Sequence, residues 1–292
     1  MASYPFNNIH NPLQFTKLHG TGNSFICLDY TRCSPHDCLS DLASAITDCN
    51  KGIGADGMIV ILPSETATVR MILYNPDGTK ANGYGNSLRC VALYARATGI
   101  TSSSLITVET DNGIISTQIE KLSDRHAVVT VDMGYPDFNS PNLPVTRDAF
   151  GRVILTAGER AFTIFPVSMG YPHGIVFTDD LSDSNFLSNA PLISSHPRWP
   201  KNATVEFVHK TGNGHYDIRV WEPGHGETQA CGTGACAVAA AAWLTGCTTP
   251  IVTMRLKGGI LSVTRQPDSG NFMLTGPSTI VANGVFYLTP AE

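Results

Sequence analysis

Two glycine-rich stretches set a reactive group at a turn. Gln229-Ala230-Cys231-Gly232-Thr233-Gly234-Ala235-Cys236 carries a thiol there, and Lys80-Ala81-Asn82-Gly83-Tyr84-Gly85-Asn86-Ser87-Leu88-Arg89-Cys90 carries a phenol. A glycine-rich turn that opens a helix offers unpaired backbone N–H groups at the positive end of a dipole, which suits a carboxylate or phosphate. A cysteine so placed has its thiolate stabilised and can act as a base near neutral pH. Cys231 is therefore the candidate catalytic residue, against the plainer reading of a small buried apolar side chain. Tyr84 holds the matching place in the other stretch. A phenol titrates near 10, so it is normally an acid and becomes a base only where a positive field lowers that value. The alternative for Tyr84 is an aromatic wall that shapes the pocket.

Asn75 and Glu222 stand just before these turns, each followed by a proline and a glycine-containing loop. A carboxamide and a carboxylate in those places suit an ammonium group beside a bound carboxylate; loop capping is the alternative. His19, His173 and His225 also lie in glycine-rich loops, where a single histidine is more often structural than catalytic. Cys33-Ser34-Pro35-His36-Asp37-Cys38 has no matching second pair, so it reads as a surface loop and no metal site is expected.

The elements that must position these groups repeat along the chain. An offset of 147 maps Tyr84-Gly85-Asn86 onto Cys231-Gly232-Thr233, Thr98-Gly99 onto Thr245-Gly246, and Leu73-Tyr74-Asn75-Pro76 onto Val220-Trp221-Glu222-Pro223. Upstream, residues 17–23 resemble residues 167–173 at an offset of 150, a slip that one loop difference explains. Such spaced landmarks point to duplication. Short runs rich in β-branched and aromatic residues, among them "FICLDY", "GMIVIL", "VRMILY", "LITVET", "TVEFVHK", "YDIRVW", "PIVTMRL" and "NFMLTG", read as strands. "SLRCVALYARA" and "ACAVAAAAWL" are helix formers that each end at Thr-Gly, and "DCLSDLASAITDC" reads as a third helix. The expected fold is α+β: two domains related by a pseudo-twofold, each a central helix wrapped by mostly antiparallel strands. The first covers roughly residues 1–130 and the second 131–280, with a last strand in 281–292 returning to the first. The symmetry would aim both helix starts at one anion in the cleft between the domains.

Composition narrows the function classes. With 292 residues, 42% of them hydrophobic and 15% charged, the chain reads as a soluble globular protein with room for two domains. A net charge of -5 without a basic run makes neither nucleic acid nor an anionic membrane an expected partner. The N-terminus lacks a signal-peptide pattern and no long apolar span occurs, so a cytoplasmic location is expected. Eight unevenly spaced cysteines then read as free thiols rather than a disulfide framework.

At these residues the sequence resembles the diaminopimelate epimerase family of cofactor-independent amino-acid racemases and epimerases. The landmarks run in order: "LHGTGNSF", "GIGADG", "NPDGTKANGYGNSLRC", "MGYPHGIVF", "TVEFV", "EPGHGETQACGTGACA" and "LTGP". The resemblance implies the two-domain fold and chemistry without pyridoxal phosphate or another cofactor. One cysteine removes the α-proton, a second on the opposite face returns one, and N–H groups at the two helix starts hold the α-carboxylate. Carried over, Cys231 matches one catalytic cysteine and Gly232 and Thr233 its share of the cradle. Gly85 and Asn86 match the other share, with Ser87 in place of a third glycine. Asn23, Asn75 and Glu222 match residues around the substrate's amino end, and His173 is kept.

The departures bear on the substrate. Tyr84 stands where the family has its other catalytic cysteine, Pro223 where an arginine grips the distal carboxylate of diaminopimelate, and Tyr171 and Thr204 where asparagines help hold that end. A second buried carboxylate would lose its charge-assisted partner, a large penalty. The expected activity is therefore that of a pyridoxal-phosphate-independent isomerase acting on another amino-acid-type carboxylate, with an uncharged or aromatic side group. A small-molecule carboxylate or amino-acid-derived substrate is the expected partner, and a homodimer is left open. The alternatives are a one-face double-bond isomerase or cyclase of specialised metabolism on the same fold, and a catalytically silent binder that keeps the cradle.

Overall fold

A computed structural model describes residues 12–81, 85–144, 148 and 151–288. It divides into two compact units: the described residues up to Val131 together with those from Pro277 onward, and the segment Asp132–Gly276. The architecture is α+β and mostly strand, as expected from the sequence.

The first unit contains β1 (Leu13–Gly20), β2 (Asn23–Asp29), α1 (Leu39–Thr47), β3 (Gly57–Leu62), β4 (Val69–Tyr74), α2 (Gly85–Ala97), β5 (Leu105–Thr110), β6 (Gly113–Leu122) and β7 (His126–Asp132). The second contains β8 (Val153–Ala157), β9 (Arg160–Ser168), β10 (Pro172–Phe177), α3 (Asp183–Ser194), β11 (Thr204–Gly212), β12 (His215–Glu222), β13 (Gly226–Thr228), α4 (Gly232–Leu244), β14 (Ile251–Leu256) and β15 (Gly259–Arg265). The last strand, β16 (Phe272–Phe286), starts in the second unit and ends in the first.

In the first unit β1 to β7 lie side by side in chain order, and the end of β16 joins β7 to β1, so eight strands close into a barrel. The helix α2 runs inside it, with every residue from Gly85 to Ala95 buried. The second unit orders its strands β16-β15-β14-β12-β11-β10-β9-β8, with α4 against β9, β10, β11, β14 and β15, and α3 against β8, β11 and β12. Both units use one pairing plan. β2–β3 and β4–β5 are parallel and β3–β4 antiparallel; β10–β11 and β12–β14 are parallel and β11–β12 antiparallel. The central helices start at 85 and 232 and end at 97 and 244, an offset of 147 at both ends.

These helices form where a helix can tolerate strands on most of its circumference. In α4 the run Ala235 to Ala242 is buried, and its alanines combine the best helix propensity with the smallest side chains. A helix apolar all round belongs in a core. Each central helix is closed by a glycine with positive φ, Gly99 at 76° and Gly246 at 96°, a backbone state that L side chains resist.

Several elements differ from the sequence reading. The helix α3 was not foreseen, because Pro191 and six polar side chains dilute its pattern. It forms because Ser182 Oγ caps the Asn185 N–H, and because Phe186, Ala190 and Ile193 bury against Trp199, Val205 and Phe207. The strands β1, β6, β8 and β13 were also missed. The run "NFMLTG" and the last strand expected in 281–292 are not separate: one 15-residue strand runs through Phe272–Phe286.

Candidate active site

In the second unit, three adjacent strands place polar groups on the face that α4 covers. His173 on β10 is paired with Thr204 on β11, and Val205 with Trp221 on β12, which sets Thr204 beside Glu222. Strand alternation then puts His173, Thr204, Glu206 and Glu222 on one face, while Val205, Phe207 and Trp221 face the α3 side. His173, Thr204 and Glu206 are buried.

Onto this face α4 brings Cys231. The cysteine is the helix N-cap, in extended backbone at φ -121° and ψ 116°. Its Sγ accepts from the Gly234 N–H at 3.4 Å and lies 3.3 Å from Thr233 Oγ1. These are the helix-start donors anticipated from the sequence. They are outweighed, because burial first, and then the Glu222 and Glu206 carboxylates, push the thiol well above its ordinary range. Burial and the two carboxylates therefore work against the helix-stabilised thiolate expected from the sequence.

Glu222 is half-buried at the end of β12, and its Oε1 accepts from Thr228 Oγ1 at 2.6 Å. Desolvation raises its carboxyl, opposed by the Thr228 hydrogen bond and by His173. The hairpin that carries Glu222 and Thr228 is pinned by a fork: Arg219 Nε and Nη2 donate to the two oxygens of Glu227 at 2.8 and 3.0 Å. Pro223 occupies the following turn, which the His225 N–H closes onto the Glu222 carbonyl at 3.1 Å. The half-exposed Tyr171 stands edge-on to His173, with ring centres 6.4 Å apart, and burial and Glu222 raise its phenol. Gly232 is buried and Thr233 half-buried in the first turn of α4.

The first unit has a corresponding set at the start of α2. Gly85, Asn86 and Ser87 are buried there, and Asn86 Nδ2 donates to Asn23 Oδ1 at 3.3 Å. Arg89, one turn on and fully buried, donates to Asn86 Oδ1 and Thr21 Oγ1, each at 2.9 Å. Thr21 has φ 54° and is the one non-glycine residue with positive φ among the described residues. A β-branched residue there is strained, and the Arg89 bond helps hold it. Asn75 Nδ2 donates to Thr79 Oγ1 at 3.0 Å within its own loop, which is the capping geometry. Asn82, Gly83 and Tyr84 lie outside the described residues.

The structure therefore gathers Cys231, Gly232, Thr233, His173, Thr204 and Glu222 in one unit, and Asn23, Gly85, Asn86 and Ser87 in the other. Glu206, Thr228, Thr21 and Arg89 were missed by sequence reasoning. Glu206 carried a signal, a lone carboxylate inside the apolar strand "TVEFV". Among the described residues no group of three or more His, Cys, Asp or Glu could hold a metal ion. No described helix is long and apolar enough to cross a membrane.

A family model described as diaminopimelate epimerase matches residues 15–139 and 165–281. The chain belongs to the diaminopimelate epimerase family. It is 43% identical over 275 residues to a diaminopimelate epimerase of Desulforudis audaxviator strain MP104C, covering 93% of this chain and 98% of that one. With the diaminopimelate epimerase of Bacillus subtilis strain 168 the identity is 38% over 284 residues, 95% and 100% of the two chains. Among solved structures, a hydroxyproline epimerase from Agrobacterium vitis superposes with a TM-score of 0.69 at 16% identity, covering 96% of this chain and 93% of that one. A methylitaconate-delta-isomerase gives 0.64 at 13% identity, covering 96% and 98%. These last two likenesses concern the fold. Membership of the diaminopimelate epimerase family makes the chain an isomerase of the racemase and epimerase type.

Proposed function

We propose that this chain moves the α-proton of an amino-acid-type carboxylate other than diaminopimelate, without pyridoxal phosphate, using Cys231 on one face of the α-carbon and Tyr84 on the other. The observation that carries this reading is Cys231 as the N-cap of α4, beside the Thr233 hydroxyl, the Gly234 N–H and the Glu222 carboxylate. An amino-acid α-proton is very weakly acidic, so the electron pair left by C–H cleavage must spread into the carboxylate. N–H donors fixed at a helix start stabilise that developing charge without reorganising. Where Cys231 is the base it acts as the thiolate left by the preceding turnover. The α-proton passes to Sγ while an acid on the opposite face gives its proton to carbon, and in the reverse direction the Cys231 thiol is the acid. A substrate ammonium near Glu222 adds a positive charge that offsets the Glu222 and Glu206 carboxylates and so favours the thiolate.

The substrate side group is read from Pro223, Tyr171 and Thr204, none of which carries a cation for a distal carboxylate. A proline turn, a half-exposed phenol ring and a hydroxyl suit an uncharged or aromatic group. The reduced protein, incubated in D₂O with L- and D-amino acids, should place deuterium at the α-carbon with inversion for substrates of that class. Absence of exchange from every amino acid would sink the reading.

The phenol at position 84 favours a second reading, a one-face proton shift or cyclisation in which Tyr84 only shapes the pocket. Tyr84→Phe separates the two. The epimerase loses reprotonation from that face, while the one-face enzyme keeps its turnover.

A further inference from the structure

His173 and Glu206 form a pair that the proton-transfer scheme leaves without a role. His173 Nδ1 lies 2.8 Å from Glu206 Oε1, with the side chains 1% and 0% exposed. The remaining polar atom of each, His173 Nε2 and Glu206 Oε2, is buried and has no hydrogen-bond partner among the described residues. Unpaired buried polar atoms are rare in folded proteins because each forfeits its hydration, and they concentrate where a site needs them.

The packing ties this pair to the thiol. Gly234 lies in the first turn of α4, and a Cβ there would run into Glu206 Oε1 and come within 3.2 Å of the Cys231 Cβ. The Glu206 carboxylate is thus seated in space that only a glycine leaves open, against the turn whose N–H reaches Cys231 Sγ. Thr204 and Glu222 share the same strand face, in register beside His173.

We propose that Glu206 is a positioning residue for this site: its carboxylate accepts the Nδ1–H of His173, fixes the imidazole in that tautomer, and leaves Nε2 as a bare acceptor on the face that α4 covers. A ring nitrogen that is held unprotonated takes a donor hydrogen from whatever occupies the site, and the hydrogen bond at the other nitrogen decides which tautomer is present. Without the carboxylate the ring is free to place its proton on either nitrogen, and the acceptor is lost for part of the population. The tautomer assignment stands on its own geometry; its consequence for turnover rests on the isomerase reading.

The test uses the full chain labelled with ¹⁵N-histidine. The signals of His173 are assigned among the nine histidines by their loss in His173→Gln. The wild-type protein, without substrate, should show a protonated, exchange-protected Nδ1 and an unprotonated Nε2. A protonated Nε2, or a doubly protonated ring, would overturn the proposal before any Glu206 variant is made. Glu206→Leu, which keeps bulk and removes the acceptor, should mix or invert the tautomers. Glu206→Gln, whose amide oxygen can still accept, should retain the wild-type pattern. Unchanged His173 signals in Glu206→Leu would also overturn it.

In a second arm, α-proton exchange should fall about 10²-fold in kcat, with little change in KM, for Glu206→Leu, and recover most of that loss in Glu206→Gln. Equal loss in both variants would overturn the positioning role. Because the first arm needs no substrate, failure of the wild-type protein to exchange any amino acid would count against the isomerase reading and leave the tautomer result standing.

Discussion

In the proposed mechanism the chemistry turns on Cys231, whose thiol lies well above its ordinary range. Two nearby carboxylates and burial raise it, while one N–H and one hydroxyl lower it. At neutral pH the thiolate fraction is therefore below that of an exposed cysteine. Alkylation of Cys231 by iodoacetamide, read by peptide mapping because Cys33 and Cys49 are exposed, should be slow at pH 7–8 and rise only above the ordinary thiol range; fast labelling of Cys231 at neutral pH would show that burial and the carboxylates do not govern the thiol. Cys231→Ala should abolish α-proton exchange, a loss of at least about 10²-fold, with the far-ultraviolet dichroism unchanged. Near wild-type exchange in that variant would remove the mechanism. Gly234 makes a separate prediction, because its missing side chain leaves room for Glu206. Gly234→Ala should cost about 1–3 kcal/mol, read from the urea midpoint. At this scale Cys231 and Glu222 stood out in the sequence as residue types at punctuated turns, and His173 through the family landmark "MGYPHGIVF". Glu206 was not, because a carboxylate at a core-facing strand position looks like an interruption until its histidine partner is seen across the sheet.

The two central helices show how an element holds its share of a site. Each follows a glycine-rich stretch of sequence, and each ends at a glycine with positive φ. What anchors α2 is a long-range contact: Arg89 joins its first turn to Thr21 on the β1–β2 connection and reaches the Pro277 carbonyl at 3.3 Å. Gly20 leaves space for this, since a Cβ there would lie 2.8 Å from the Asn86 carbonyl and 3.2 Å from Arg89 Nη2. Arg89→Met should remove a buried donor from Thr21 and Asn86 and cost about 1–3 kcal/mol. Protection of the α2 amides from hydrogen exchange should drop with it, and an unchanged exchange pattern would show that the helix does not depend on that anchor. The helix α3 makes the converse point. Its sequence is a poor helical pattern, and tertiary burial of Phe186, Ala190 and Ile193 prevails over Pro191 and weak propensity.

For the whole molecule, the buried thiols and phenols set an alkaline limit. Burial raises Cys27 and Cys231 well above the usual thiol range, Cys90 to about 11 and Tyr30 to about 12, and raises Tyr94 as well. Each folded value lies above its unfolded one, so the native state binds more protons than the unfolded chain between the two. Stability is then complete below about pH 9 and declines as pH rises through 11 and 12. Urea midpoints measured from pH 7 to 11 should be level up to about 9 and fall beyond it, and a level profile throughout would contradict the burial of these groups. The repeat at 147 residues, the glycine-closed helices and the order of the family landmarks were written in the sequence, because turn chemistry and hydrophobic patterning are local and survive duplication. They determined the α+β class and the family. Tertiary structure alone decided that β16 serves both units in a single strand, that α3 forms, and that His173, Glu206, Glu222 and Cys231 share one face. Those outcomes depend on strand register and on which side chains exclude water together, quantities fixed only when segments distant along the chain are packed against each other.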